Sequence, residues 1–261
     1  MRIVILPDAA DVACFAAQEL AGIVRGKPDA VLGLATGSTP LGTYRHLIEV
    51  HQAEKLSFRR VQTFNLDEYL GLSSNHPASY RHFMNEHLFR FLDIPLEQTF
   101  VPRGDTSDVE GECQAYERRI VEAGGIDCQL LGIGSDGHIG FNEPGSSLAS
   151  RTRVKTLAER TRLDNARFFA SLDEVPTAAI TMGIGTILEA RQVLLLATGQ
   201  GKAEAIREAV EGPLSSSLPA SALQLHPSAT IVVDEGAACR LQRADYYRLA
   251  EQQRRRLRKE A

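Results

Sequence analysis

The 261-residue chain has no apolar run near the roughly 20 residues that a membrane-spanning helix needs, which excludes that architecture. Cysteine is scarce: Cys14, Cys113, Cys128 and Cys239 lie far apart without C-x-x-C spacing, so neither a zinc site nor a disulfide framework is indicated. Reduced thiols in a cytoplasmic protein are the expectation. Basic charge is not in surplus, since 29 Lys and Arg face 33 Asp and Glu, for a net charge of −4. That balance argues against a broad nucleic-acid surface. It still permits an anionic ligand held by a few converging donors. Internal repeats, low-complexity blocks and interdomain linkers are also absent, so one domain over residues 1–261 is expected. Residues Met1–Asp8 are too short and too soon acidic for a signal peptide, and read as a strand ending at Pro7.

What is present is an alternation of β-like runs and amphipathic stretches. The runs predict strands at Arg2–Leu6, Ala30–Leu34, Val61–Asn65, Cys128–Gly132, Ala178–Thr181, Val193–Ala197 and Thr230–Val233. Helices are predicted at Ala10–Arg25, Leu41–His51, Ser79–Phe91, Asp108–Glu122, Gly201–Val210 and Glu235–Arg258. Continuous apolar strands suit a sheet covered on both faces. The fold class is therefore α/β: an open, mostly parallel, twisted sheet with helices on both faces, Rossmann-like in outline. In such sheets ligands bind beyond the carboxyl ends of the strands.

Three segments at such ends carry chemistry. Gly33–Pro40 (GLATGSTP) joins a strand to a helix and crowds Thr36, Gly37, Ser38 and Thr39 into the turn. Free N–H groups at a helix N-terminus can cradle phosphate. The turn is neither a Walker loop nor G-x-G-x-x-G, and an ordinary capped junction would look similar. Thr63–Leu72 (TFNLDEYLGL) ends a strand in two adjacent carboxylates, Asp67 and Glu68. Neighbours in extended structure face opposite ways, so at most one reaches a given ligand. Either it acts as a base on that ligand, or Asp67 caps the next helical turn with Glu68 in solvent. Leu131–Gly145 (LGIGSDGHIGFNEPG) sets Asp136, His138 and Glu143 among five glycines. A histidine carries protons near neutral pH, and flanking carboxylates can orient it. One histidine and two acids make only an incomplete metal site, so no metal is expected.

Together these strings resemble the glucosamine-6-phosphate deaminase (isomerase) family. The resemblance runs over nearly the whole chain, through GIGSDGHIGFNEPGSSLASRTR at Gly132–Arg153, NARFF at Asn165–Phe169, TMGIGTIL at Thr181–Leu188 and SALQLHP at Ser221–Pro227. It implies a cofactor-free enzyme that converts glucosamine 6-phosphate and water into fructose 6-phosphate and ammonia. By position, Asp67 would move a proton between C2 and C1. His138 would open the pyranose ring, with Asp136 and Glu143 as its carboxylate partners. The Thr36–Thr39 turn would hold the 6-phosphate with Arg167 and Lys202. A mobile lid would fall at about Leu157–Ala179. The resemblance further implies an activator site for N-acetylglucosamine 6-phosphate at Ser146, Ser147, Arg153, Lys155, Thr156 and Tyr246, and a hexamer. The strongly basic tail, Arg254–Lys259, departs from the family pattern and reads as a solvated helix end. Two rivals were weighed. A 6-phosphogluconolactonase-like hydrolase would not require the Asp67 proton shuttle. A sugar-phosphate sensor would carry a DNA-binding segment, and none precedes Arg2–Leu6.

Overall fold

The computed structural model describes residues 1–260, with side chains described through residue 257. The side chains of Arg258 and Lys259 in the basic tail, and all of Ala261, lie outside the described residues. The strands in chain order are β1 (Arg2–Leu6), β2 (Val31–Leu34), β3 (Gln62–Asn65), β4 (Asp67–Tyr69), β5 (Thr99–Phe100), β6 (Cys128–Leu131), β7 (Arg153–Thr156), β8 (Ala178–Thr181), β9 (Val193–Ala197) and β10 (Ala229–Asp234). The helices are α1 (Ala9–Gly26), α2 (Leu41–Glu54), α3 (Tyr80–His87), α4 (Val109–Glu122), α5 (Glu159–Asn165), α6 (Ile184–Leu188), α7 (Ala203–Glu211), α8 (Glu235–Ala238) and α9 (Ala244–Glu260). None among the described residues is long and apolar enough to cross a membrane.

Seven strands form one sheet in the order β1-β10-β9-β6-β2-β3-β5, and every pairing in it is parallel. The apolar runs follow from burial on both faces. Leu32, Leu130 and Leu194 pack into the layer that holds Val12, Ala16 and Leu20 of α1 and Leu47 of α2. Their chain neighbours Val31, Leu131 and Leu195 pack oppositely, against Tyr116 of α4, Ile206 of α7 and Ala237 of α8. Strand order reverses at β2 and β6: β3 and β5 continue to one side, β9, β10 and β1 to the other. The crevice left at such a reversal is where a ligand fits in this architecture.

Four sequence expectations need correction. Ala178–Thr181 is a strand, but β8 lies outside the parallel sheet, as the centre of an antiparallel sheet ordered β4-β8-β7. The short strands β4, β5 and β7 are additional. The stretch Ser79–Phe91 is α3 capped by Ser79, followed by a 3-10 turn at Phe89–Phe91. The helix expected over Glu235–Arg258 breaks in two. Asp234 caps α8 by accepting the Ala237 N–H at 2.7 Å. The chain then turns before α9, which packs on edge strand β1 through the ion pair of Glu251 with Arg2, while Arg255 pairs with Glu251 within the helix.

Candidate active site

A single residue, Leu66, joins the two sheets. Its N–H donates to the Leu34 carbonyl at 3.1 Å, continuing the parallel ladder, while its carbonyl accepts the Met182 N–H at 2.6 Å, beginning the antiparallel one. Tyr116 fixes the end of β3 by donating its hydroxyl to the Asn65 carbonyl at 2.7 Å. The chain therefore leaves the main sheet at a defined angle, and Asp67 opens β4 paired with Thr181. Asp67 lines the crevice and is only 6% exposed. Burial pushes its carboxyl up to about 8, helped by the charge of Glu68 and opposed by the Phe141 N–H.

Glu68 faces the other way, as the pleat requires. The expectation of an Asp67 cap with Glu68 in solvent is thus reversed: Glu68 is 2% exposed and accepts the N–H groups of Tyr80 and Arg81, the first two of α3, at 3.0 Å each. No local signal marks this role, because its partners lie 12 and 13 residues away.

The loop after β6 supplies the second group. Asp136 Oδ1 lies 2.7 Å from His138 Nδ1 and accepts the His138 backbone N–H at 3.2 Å. Burial raises the Asp136 carboxyl, but its contacts with His138 outweigh that and hold it down at about 2. Gly134 lets the imidazole sit close, since a β-carbon there would fall 2.3 Å from the ring. Glu143 is buried. Its Oε1 accepts the Ala158 N–H at 3.2 Å, and its Oε2 has no hydrogen-bond partner among the described residues. Ligand atoms of Asp136, His138 and Glu143 lie within 4.8 Å of one another, so these three are the described residues that could share a cation. The close Asp136–His138 contact equally suits an imidazole oriented for proton transfer.

The remaining wall is built for an anion. Thr36, Gly37, Ser38 and Thr39 line the crevice where β2 turns into α2. Pro40 occupies the cap position itself rather than the first turn, and no side chain bonds the first N–H groups of α2. Those donors and the helix dipole are available to a phosphate. Lys202, from the turn after β9, and Arg167, beyond α5, line the same crevice. Burial lowers the Lys202 pKa, against the opposing charges of Asp164 and Asp136. The Arg167 guanidinium also stacks over Phe168, 4.8 Å from the ring centre. Sequence reading missed four polar lining residues, Tyr80, Thr161, Asp164 and Asn165.

The crevice thus gathers Asp67, His138, the Thr36–Thr39 turn, Arg167 and Lys202, with Asp136 and Glu143 behind His138. The second residue set is more dispersed. Ser146 is buried and donates to the Glu143 carbonyl at 2.6 Å, while Ser147 is exposed. Arg153 and Lys155 share the half-buried face of β7, with Thr156 on the exposed face. Arg153 donates to Asn142 Oδ1 at 2.9 Å, and burial lowers its pKa. Tyr246 is exposed on α9 beside Tyr247. The segment 157–179 contains α5 and two 3-10 turns. Its Phe169 ring packs edge-on against Tyr69, 5.5 Å between centres.

Comparison with known proteins gives concordant matches. Residues 8–232 match the model of the family described as glucosamine-6-phosphate isomerases/6-phosphogluconolactonase. A glucosamine-6-phosphate deaminase from Shewanella loihica is 58% identical, over 95% of this chain and 92% of its own. One from Cellvibrio japonicus is 54% identical over 98% of each chain. A solved monomeric glucosamine-6-phosphate deaminase superposes with a TM-score of 0.90 and 50% identity, over 92% of this chain and all of its own. The 6-phosphogluconolactonase of Trypanosoma brucei shares the fold, with a TM-score of 0.74 at 21% identity, over 91% of this chain and 97% of its own.

Proposed function

Since the chain belongs to the glucosamine-6-phosphate isomerase/6-phosphogluconolactonase family, we propose that it is the deaminase, converting glucosamine 6-phosphate into fructose 6-phosphate and ammonia. One observation carries the choice of chemistry: a buried carboxylate, Asp67, shares a crevice with a carboxylate-paired histidine, His138. A lactonase needs to activate water but has no carbon-bound proton to move.

In this reading the 6-phosphate sits on the Thr36–Thr39 turn, with Lys202 and Arg167 supplying charge. His138 takes the proton of the anomeric hydroxyl and returns one to the ring oxygen, opening the sugar. Asp136 and Glu143 orient the imidazole and stabilise its protonated form. Asp67 then takes the proton from C2 and delivers it to C1. The enolamine formed becomes a C2 imine, which water hydrolyses to the ketone with release of ammonia. Burial makes Asp67 a stronger base than a carboxylate in water, and the anchored phosphate holds C2 near it. No step calls for a cofactor.

Several finer assignments are proposals of the same standing. A cytoplasmic location fits four unpaired cysteines. One domain with a lid at 157–179 fits the packing of Phe169 over Tyr69. An activator site for N-acetylglucosamine 6-phosphate is supported by Arg153, a half-buried cation bonded to an amide and a carbonyl rather than a carboxylate. A hexamer is the assembly that site implies. The solved relative at 50% identity is described as monomeric, which makes the monomer the alternative that the test must separate from a hexamer.

The test is release of ammonia and fructose 6-phosphate from glucosamine 6-phosphate by chelator-treated protein, with and without the acetylated sugar phosphate. Equal release of both products supports the deaminase, and stimulation by the acetylated sugar supports the second site. Lactone hydrolysis without ammonia release overturns the proposal. Sedimentation in the same buffers reports the assembly.

A further inference from the structure

Glu68 is a buried carboxylate that the mechanism above does not use. Its Oε1 accepts the N–H groups of Tyr69 at 2.9 Å and Tyr80 at 3.0 Å, and its Oε2 accepts that of Arg81 at 3.0 Å. Ser79 Oγ accepts the next N–H, from His82, also at 3.0 Å. The first turn of α3 is therefore held by one side chain from β4 and one from its own cap. A carboxylate is costly to bury, and Glu68 is 2% exposed. Burial pushes the Glu68 carboxyl up to about 7, and the N–H groups of Tyr80, Arg81 and Tyr69 counter part of that rise by favouring the anion.

We infer that Glu68 is a positioning residue of this active site: it clamps Tyr80 and α3 to the strand that carries Asp67, and fixes a negative charge one residue from that base. The inference rests on the reading of Asp67 as the base. The clamp matters because Tyr80 is part of the crevice wall. Its ring stacks on Phe141, 5.9 Å between centres at 20°, and its hydroxyl donates to that of Tyr69 at 3.3 Å. Those contacts hold the ring, and the Glu68 hydrogen bonds hold the backbone of Tyr80 and Arg81 to β4.

The charge matters because few others reach the base. Tyr69 on β4, Tyr80 and Arg81 on α3, and Tyr116 on α4 surround the Asp67–Glu68 pair. His138, Lys202, Arg167 and Asp164 line the open side. Arg81 directs its guanidinium to Thr99, donating to the hydroxyl at 2.8 Å and the carbonyl at 2.6 Å. Behind burial, the Glu68 charge is the second cause of the high proton affinity of Asp67. Glutamine cannot replace Glu68 without loss, because its amide would present a donor to one of three N–H donors. Aspartate keeps the charge but shortens the reach by one methylene.

The full-length variants Glu68→Gln, Glu68→Asp and Ser79→Ala test both parts. The Asp67 carboxyl is titrated by 13C NMR with labelled aspartate and no substrate, using Asp67→Asn to identify its signal. The pH profile and kcat are then measured with glucosamine 6-phosphate. In Glu68→Gln, the Asp67 titration should move down by about one pH unit, as expected when a neighbouring like charge is removed, and kcat should fall roughly tenfold or more. Glu68→Asp should leave the titration within a few tenths of a unit while kcat still falls. Ser79→Ala weakens the helix cap without touching charge, and should leave the titration in place. An unmoved Asp67 titration in Glu68→Gln, or an equal shift in Ser79→Ala, overturns the charge role. Unchanged kcat in Glu68→Asp overturns the clamp, and this variant decides that point even if Glu68→Gln fails to fold. Failure of the deaminase reading is distinguishable: wild-type protein would release no ammonia, while the NMR titration still reports on Glu68.

Discussion

A β-carbon placed on Gly140 would stand 3.3 Å from Oδ2 of Asp67 and 3.1 Å from Oγ1 of Thr181. The backbone of the histidine loop is thus packed directly on the carboxylate proposed as base. Gly140 also has φ of +55°, where a side chain costs about 1 kcal/mol. Gly140→Ala should lower kcat/KM by roughly tenfold to a hundredfold with a small loss of thermal stability, because a displaced carboxylate loses its reach to C2. Steady-state kinetics beside a melting curve checks both.

Asp67→Asn should reduce turnover by about 10²–10⁴, the usual contribution of a positioned base, while leaving substrate affinity within a few fold. The same variant should be more stable than the wild type at neutral pH. The native carboxyl is raised to about 8, against about 3.9 in an unfolded chain. Between those values the native state holds the extra proton, so wild-type stability falls as pH rises through that window. Asparagine has no proton to lose. Its advantage should grow from pH 4 to pH 8 and reach on the order of 1–3 kcal/mol, a cost consistent with function traded against stability. Denaturant titrations at several pH values decide this, and a flat difference would contradict it.

The wild-type pH profile follows from the same group. The base must be ionised, so kcat/KM should rise with pH on an acid limb controlled by the free enzyme, well above the ordinary carboxylate range and near 8. In Asp67→Asn any residual activity should lack that limb.

His138→Gln should lose turnover on the cyclic substrate and recover in part on an open-chain analogue, because only ring opening needs the imidazole. Asp136→Asn should show the same selectivity more weakly, since it removes the partner at 2.7 Å but keeps the ring. Equal losses on both substrates would place His138 in another step.

Lys202→Ala and Arg167→Ala should each raise KM for glucosamine 6-phosphate, by roughly tenfold or more for the half-buried Lys202 and less for the exposed Arg167. Inhibition by inorganic phosphate should weaken in parallel. A change in kcat alone would place the phosphate elsewhere.

Much of this was legible from the chain. β1, β8 and β9 lie within the bounds that their apolar runs indicate, because strands buried on both faces leave uninterrupted hydrophobic stretches. Asp67, His138, the Thr36–Thr39 turn, Arg167 and Lys202 do meet in one crevice. The role of Glu68 was hidden, because a hydrogen bond across 12 residues leaves no periodic trace. β5 and β4, of two and three residues, fall below what alternation can resolve, and β7 (Arg-Val-Lys-Thr) has no apolar run. That β8 belongs to a second sheet was equally hidden, since partner choice follows from the turn at Leu66 and not from the composition of Ala178–Thr181.

That turn at Leu66 divides the molecule into a handle and a tool. The handle, which would grip the anionic end of a ligand, is made of the turns after β2 and β9, with Arg167 reaching in from between β7 and β8. The acid that would do the work on carbon sits on a separate ribbon of three short strands, which meets the parallel sheet at Leu66. A scaffold partitioned in this way suits a family described by both isomerases and a lactonase, in which what is done to the ligand differs from member to member.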